Sequence, residues 1–310
     1  MPRAQTNGIE LEYEVIGTGE PIVLIMGIGA QMIAWHDEFR HMLADQGFQV
    51  IHFDNRDAGL STKMDGPRLP RVNKMLAKAM LGMSVEAPYT LMDMADDVAG
   101  LLDHLNLADA HIVGASMGGM VAQTMAIVQP TRVRSLTSIM SHPGNRRSSV
   151  SKPSALKALL GKVPRTREEA IERYLVFQQV CGSKGFEIDV DYCRDLAGRG
   201  YDRSFCPSGF VRQMAAIIAT GDRTKALRFV RAPTLVLHGS DDPLIRPAGG
   251  RATARAIRGA QFQMIQGMGH DMPRGAWPII SGAIANHGQS VDKRRKQATP
   301  ASTQPATATA

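Results

Sequence analysis

The stretch Ala110-His111-Ile112-Val113-Gly114-Ala115-Ser116-Met117-Gly118-Gly119 decides the fold. Residues 110–113 read as a short apolar strand, and residues 117–129 as a helix closed by Pro130. Between them lies Gly-x-Ser-x-Gly. Alone the pattern is common. At a strand-to-helix turn it predicts a nucleophile elbow, with the serine held in a strained backbone conformation. Gly114 and Gly118 leave room where strand and helix approach too closely for Cβ atoms. Such a turn lifts the Ser116 hydroxyl above the C-terminal edge of a sheet, where open α/β sheets bind ligands.

The flanking sequence supplies that sheet. Residues 9–16 alternate as a strand does, and Gly17-Thr18-Gly19 turns the chain. Residues 21–26 are a continuous apolar run, suited to a strand buried on both faces. Further strands are expected over 48–53, 133–140, 233–238 and 261–265. Helices are expected over 33–46, 91–105, 248–257 and 273–287. Strands alternating with helices predict a parallel sheet covered on both sides. Residues 143–222 break the rhythm, with no convincing strand and helical patterns over 170–180 and 210–219. Thr166 and Glu169 form a possible capping box before the first of these. This segment is read as an inserted helical cap. The core is then 1–142 and 223–289, and 290–310 is a disordered basic tail rich in Ala, Thr and Pro.

Length and composition agree with that reading. A chain of 310 residues suits two domains, or one large α/β domain with an insertion. Apolar residues make up 44% and charged residues 21%, enough for a real core and too much for a disordered chain. No uncharged apolar run approaches the length of a transmembrane helix, and Met1 to Glu14 lacks the apolar centre of a secretory signal. The three cysteines, Cys181, Cys193 and Cys206, are expected to be reduced, as in a cytoplasmic protein. The tail contributes +3 of the formal +7 charge. Eight basic residues against three acidic ones in 141–175 add a second basic region. No zinc spacing, aromatic RNP-like strand or heptad accompanies them, so no nucleic-acid partner is expected.

A serine nucleophile needs a base, and the base needs an orienting acid. In elbow geometry these follow in the order Ser, Asp or Glu, His. Of nine histidines, His270 is the candidate base. It lies in Gly267-Met268-Gly269-His270-Asp271, directly after a strand. His238 ends a strand and reads as structural. Asp241 and Asp242 both follow that strand. Asp242 is favoured because Pro243 biases it to extended geometry at the loop tip, while Asp241 is expected to cap the local turn. The oxyanion donors are expected from the amide of Met117 and from that of Ile28 in Gly27-Ile28-Gly29. The same loop reads G-x-G-x-x-M and lacks the third glycine of a dinucleotide site. No Walker lysine is present, so no cofactor is expected.

Taken together these motifs resemble the α/β-hydrolase superfamily, and within it the aclacinomycin methylesterase-type esterases. The resemblance covers about residues 8–288. It is carried by Met26-Gly27-Ile28-Gly29, Asp54-Asn55-Arg56-Asp57-Ala58-Gly59-Leu60-Ser61, the elbow, His238-Gly239-Ser240-Asp241-Asp242-Pro243 and Gly267-Met268-Gly269-His270. It implies an α/β-hydrolase fold with a mostly parallel sheet and an inserted cap. It also implies Ser116, Asp242 and His270 as nucleophile, acid and base, Ile28 and Met117 as oxyanion donors, and a small-molecule ester as substrate. Two positions depart from the superfamily pattern. Met26 stands where histidine is usual, and Asp57 where the first glycine of D-x-R-G-x-G-x-S is usual. Cofactor-free perhydrolases, thioesterases and C–C bond hydrolases belong to the same superfamily. A non-catalytic ligand receptor and a peripheral membrane-binding protein are the readings from other classes.

One further segment invites a functional reading. Leu69, Val72, Met75, Leu76, Ala79, Met80 and Met83 make an apolar stripe at helical spacing. Two readings are open: a surface helix packed on the core, or a mobile flap whose Met75, Met80 and Met83 line the substrate entrance. On the second reading, Arg68, Arg71, Lys74 and Lys78 give the flap a basic face for weak contact with anionic membrane surfaces.

Overall fold

The computed structural model describes residues 2–66 and 69–298. Eight strands form one sheet: β1 (Arg3–Thr6), β2 (Ile9–Ile16), β3 (Glu20–Ile25), β4 (Phe48–Phe53), β5 (Ala110–Ala115), β6 (Val133–Ile139), β7 (Thr234–Gly239) and β8 (Gln261–Ile265). Their order is β1-β2-β4-β3-β5-β6-β7-β8. β2 pairs antiparallel with β1 and β4, and the remaining pairs are parallel.

The central strands divide their side chains between two cores. Val23 and Ile25 of β3, with Ala110 and Ile112 of β5, enter one core. There they meet α3 (Leu91–His104) and α4 (Met117–Val128). Ile22 and Leu24, with Val113 and Ala115, enter the other, against α1 (Asp37–Ala44) and α11 (Trp277–Ala298). The two-residue period of a strand and burial on both faces explain why these strands read as unbroken apolar runs.

Residues 143–222 contribute four helices and, among the described residues, no strand: α5 (Pro153–Leu159), α6 (Arg167–Cys181), α7 (Val190–Arg203) and α8 (Pro207–Thr220). The ends of the segment meet, since the Arg223 amide donates to the Pro143 carbonyl at 2.8 Å. The Thr166 hydroxyl accepts from the Glu169 amide at 3.2 Å and starts α6. After the insertion come α9 (Thr224–Leu227) and α10 (Pro247–Ala256).

The structure corrects the sequence reading in several places. First, β1 was not anticipated: four residues are too few to show alternation, and its place comes from pairing with β2. Second, the helix expected over 33–46 starts later. His36 accepts from the Glu38 amide as an N-cap, so α1 begins at Asp37 after a short 3₁₀ turn at Met32–Ala34. Third, the tail expected to be disordered from 290 is helical through Ala298. Val291 and Asp292 are buried. Asp292 accepts from His111 Nε2 at 3.0 Å and from Arg134 at 3.2 Å, while Arg295 pairs with Asp109 at 2.8 Å and Lys296 with Glu20 at 3.3 Å. The basic run is therefore drawn onto acids at the N-terminal ends of the central strands β3 and β5, which composition alone does not reveal. Residues 299–310 of that tail lie outside the described residues.

Candidate active site

Ser116 stands between β5 and α4 with φ 55° and ψ −117°, a strained conformation for a residue with a side chain. Its surroundings over-determine that conformation. Its amide donates to the Ile139 carbonyl of β6 at 2.9 Å. A Cβ on Gly114 would strike the Gly118 carbonyl, and one on Gly118 would strike the Ile25 carbonyl. Strand and helix can close on each other only with glycine at both positions.

The acid and the histidine are fixed as firmly. The buried Asp242 follows β7, and its Oδ1 accepts from the amides of Leu244 and Ile245, each at 2.9 Å. Its Oδ2 accepts from His270 Nδ1 at 2.8 Å. His270 follows β8, and its Nε2 lies 3.0 Å from Ser116 Oγ. Asp241 is exposed and accepts instead from the Ser240 hydroxyl. With Nδ1–H committed to Asp242, Nε2 is the acceptor that faces the serine hydroxyl. His238 is structural: it is fully buried and its Nε2 donates to the Ile245 carbonyl at 2.7 Å. Burial pushes His238 below the ordinary histidine range, and burial beside Arg223 pushes His142 down to about 3. Both rings are therefore neutral neighbours of His270.

Ile28 lies in the loop after β3, and its amide has no protein acceptor among the described residues. Met117 is the first residue of α4, so its amide has no carbonyl one turn earlier in that helix. The loop carrying Ile28 is held from both sides. Gln213 of α8 accepts from the Gly29 amide at 2.7 Å and donates to the Arg56 carbonyl at 2.8 Å. Asn55 donates to the Met26 carbonyl at 3.0 Å. No local pattern could have flagged Gln213, because its partners are more than 150 residues away in the chain.

Two buried aspartates after β4 receive arginines from the cap. Asp54 accepts from Arg203 of α7 at 2.6 Å and from the Met32 amide at 2.7 Å. Asp57 accepts from Arg212 of α8 through two nitrogens, at 2.9 and 2.7 Å, and from the Tyr89 hydroxyl at 2.6 Å. Asp57 has φ 69°, which explains why glycine is usual there. Here the carboxylate joins cap to core at the expense of backbone strain.

Over Ser116 and His270 lies a cavity of about 1030 Å³, walled in part by α6, α7 and α8. Its walls are mainly apolar and aromatic, with Trp35, Tyr174, Phe177, Tyr192, Phe210 and Trp277 among them. Ile28 faces it as well. Met75, Met80 and Met83 do not, which corrects the reading of the 69–83 stripe as an entrance lining. Its helix, α2, spans Val72–Met80. Met75 is fully buried in a small core with Met214 and Ala215 of α8. Met80 and Met83 are exposed, and the lining residues near α2 are Arg71, Val72 and Asn73. Arg68, part of the anticipated basic face, lies outside the described residues. Among the described residues no group of three or more His, Cys, Asp or Glu side chains is placed to hold a metal ion. None of their helices is long and apolar enough to cross a membrane.

An eight-stranded, mostly parallel sheet with a serine elbow at its C-terminal edge defines a class. The chain belongs to the alpha/beta hydrolase fold family, whose model matches residues 20–175. It is similar to rhodomycin D methylesterase DnrP of Streptomyces peucetius, at 26% identity over 93% of this chain and 98% of that protein. Among solved structures, an esterase from Thermogutta terrifontis shares 26% identity and a TM-score of 0.68, with 94% of this chain and 98% of that one covered. The meta-cleavage product hydrolase of Pseudomonas fluorescens shares the fold at a TM-score of 0.72 and 19% identity, covering 94% of this chain and 98% of that one.

Proposed function

We propose that this protein is a serine hydrolase that cleaves a small carboxylic ester, of the methyl or short-chain type, through an acyl-enzyme. One observation carries the reading: Ser116 Oγ, His270 Nε2 and Asp242 Oδ2 form a continuous hydrogen-bonded line of 3.0 and 2.8 Å beneath a largely apolar cavity. The names of the methylesterase and esterase relatives point the same way.

In this mechanism His270 removes the Ser116 proton as Oγ attacks the ester carbonyl. The amides of Ile28 and Met117 hold the oxyanion of the tetrahedral intermediate; one such donor is worth about 10²- to 10³-fold in rate. Collapse breaks the bond to the alcohol oxygen, which leaves with the proton from His270. Asp242 keeps the imidazole in the required tautomer and stabilises it when charged. Water, deprotonated by His270, then attacks the acyl-enzyme, and a second collapse releases the acid and restores Ser116.

The test is a panel of methyl and p-nitrophenyl esters of graded acyl length, run beside Ser116→Ala. Saturable hydrolysis that Ser116→Ala lowers by about 10⁴-fold or more is expected. Absence of turnover across the panel, or equal rates for the two proteins, refutes the reading.

A further inference from the structure

The turn that ends α2 holds large apolar side chains out in water. The Met83 amide donates to the Lys78 carbonyl at 2.9 Å, and the Gly82 amide to the Ala79 carbonyl at 3.0 Å. Gly82 has φ 75°. Two such bonds around a left-handed glycine make a Schellman turn, in which the residue after the glycine often packs on an apolar side chain five residues earlier. Here that earlier residue is Lys78, and Met83 stays 54% exposed. Met80 and Leu81 are each 78% exposed. The helix behind this tip is anchored, with Val72 and Met75 buried against Met214 and Ala215 of α8. The tip is therefore an ordered projection, and adjacent exposed apolar side chains of this size mark a contact surface.

Cations flank the tip. Arg71, Lys74 and Lys78 of the α2 segment are exposed, as are Arg146 and Arg147. Arg146 Nη2 donates to the Ala79 carbonyl at 3.2 Å, one residue from Met80. That bond joins in space two stretches, 66–85 and 141–167, that contain no Asp or Glu. None of these five cations forms an ion pair among the described residues. Their charge is left for an outside partner.

We propose that this face docks the protein onto anionic lipid bilayers, with Met80, Leu81 and Met83 dipping among the headgroups and the five cations meeting the lipid phosphates. Apolar area and attraction to anionic lipid add in this kind of interfacial binding. The other occupants fit less well. A second copy of the chain would bring the same cations, which repel. Nucleic acid would match the charge, but 66–85 and 141–167 contain no Phe, Tyr or Trp to stack on bases, and phosphates offer nothing to the apolar tip. The start of α2 lines the cavity at Arg71, Val72 and Asn73. About 12 Å of helix separates Val72 from Met80, so docking holds the cavity beside the membrane.

The probes are vesicles of phosphatidylcholine, alone or with about one-third phosphatidylglycerol. The full chain is expected to sediment with the mixed vesicles and to bind the neutral ones about 10-fold or more weakly. Raising salt from about 0.1 to 0.5 M should release it. Met80→Ser, Leu81→Ser and Met83→Ser combined, and separately Lys74→Glu with Lys78→Glu, should each weaken binding about 10-fold or more. All five residues are exposed, so the urea midpoint should stay close to that of the native protein. Leu81→Trp reports the tip directly, because Trp35 and Trp277 are buried. Its emission should shift to the blue with mixed vesicles alone. Failure to sediment, binding that both sets of substitutions leave intact, or an unshifted Leu81→Trp emission overturns the docking face. Binding to duplex DNA in place of vesicles, lost in Lys74→Glu with Lys78→Glu, assigns the face to nucleic acid and overturns it equally. Docking is scored without turnover, so its outcome is independent of the ester-hydrolase reading.

Discussion

The backbone amide of His270 donates to the carbonyl of Cys181, 2.6 Å away, so the turn that carries the histidine is bonded to the last residue of a cap helix. Ser183, two residues further on, strengthens the junction. Its hydroxyl donates to Asp271 Oδ1 at 2.5 Å and accepts from the Gly269 amide at 2.9 Å. The cap therefore roofs the cavity and also braces the loop on which His270 depends.

On the proposed mechanism, Ser183 is a positioning residue. Ser183→Ala leaves the half-buried Asp271 carboxylate and the Gly269 amide short of partners on either side of His270. A displacement of catalytic groups by about 1 Å can cost about 10²-fold in rate. A fall in kcat of about 10-fold or more, with KM changed far less, is expected, and Ser183→Thr should restore most of it. Unchanged kcat in the alanine variant, with only a lower Tm, would assign Ser183 a purely structural role.

The neighbouring carboxylates Asp241 and Asp242 should separate cleanly. Asp242 accepts from His270 and two backbone amides, whereas Asp241 is exposed and bonded to Ser240. Asp242→Asn is expected to lower kcat by about 10⁴-fold, as loss of the orienting acid does in a serine triad. Asp241→Asn should leave kcat within about twofold. Steady-state kinetics on one activated ester decides it, and the reverse ranking would reassign the acid.

How much of this was legible in the sequence depends on range. Ser116 could be placed because a Gly-x-Ser-x-Gly between strand and helix is a local signal. Asp242 and His270 could be placed because each follows a strand end and the chain order of such sites is restricted. Gln213, Arg203, Arg212 and Ser183 were not legible. Each acts on a partner 80 or more residues distant, and no periodicity encodes that pairing. The basic tail failed for the same reason, since Asp109 and Glu20 meet it only in space.

The methionine stripe shows a different limit. Helical spacing in 69–83 correctly marked an apolar face, but amphipathicity does not say what covers that face. Met75 packs on Met214 and Ala215, while Met80 and Met83 are exposed. Met75→Ser should therefore destabilise the protein by about 2–4 kcal/mol, as removal of a buried large side chain does. Met80→Ser and Met83→Ser should each change stability by less than about 0.5 kcal/mol. Urea unfolding measures the first effect, and relative rates across the ester panel should be the same for all three variants. A shift in acyl preference in Met80→Ser or Met83→Ser would restore these residues to the substrate entrance.

Acid should destabilise the fold through its buried histidines. Burial pushes His52 down to about 3, and the Arg40 guanidinium beside it adds to the shift. His52 is 1% exposed and its Nδ1 has no partner among the described residues. The folded chain keeps this ring neutral where the unfolded chain, at about 6.5, takes up a proton. The unfolded state thus binds more protons between about pH 6.5 and 3, and stability falls as pH drops through that window, by up to about 1.4 kcal/mol per pH unit for one such group. His111 and His238 are shifted downward by burial in the same sense, so the losses accumulate. Urea unfolding at a series of pH values between about 7 and 4.5 should show this decline. His52→Gln removes one titrating ring, so its stability should fall less steeply with acid by close to one proton's worth, whatever its stability at neutral pH. Parallel curves for the two proteins would mean that His52 gains its proton within the folded state.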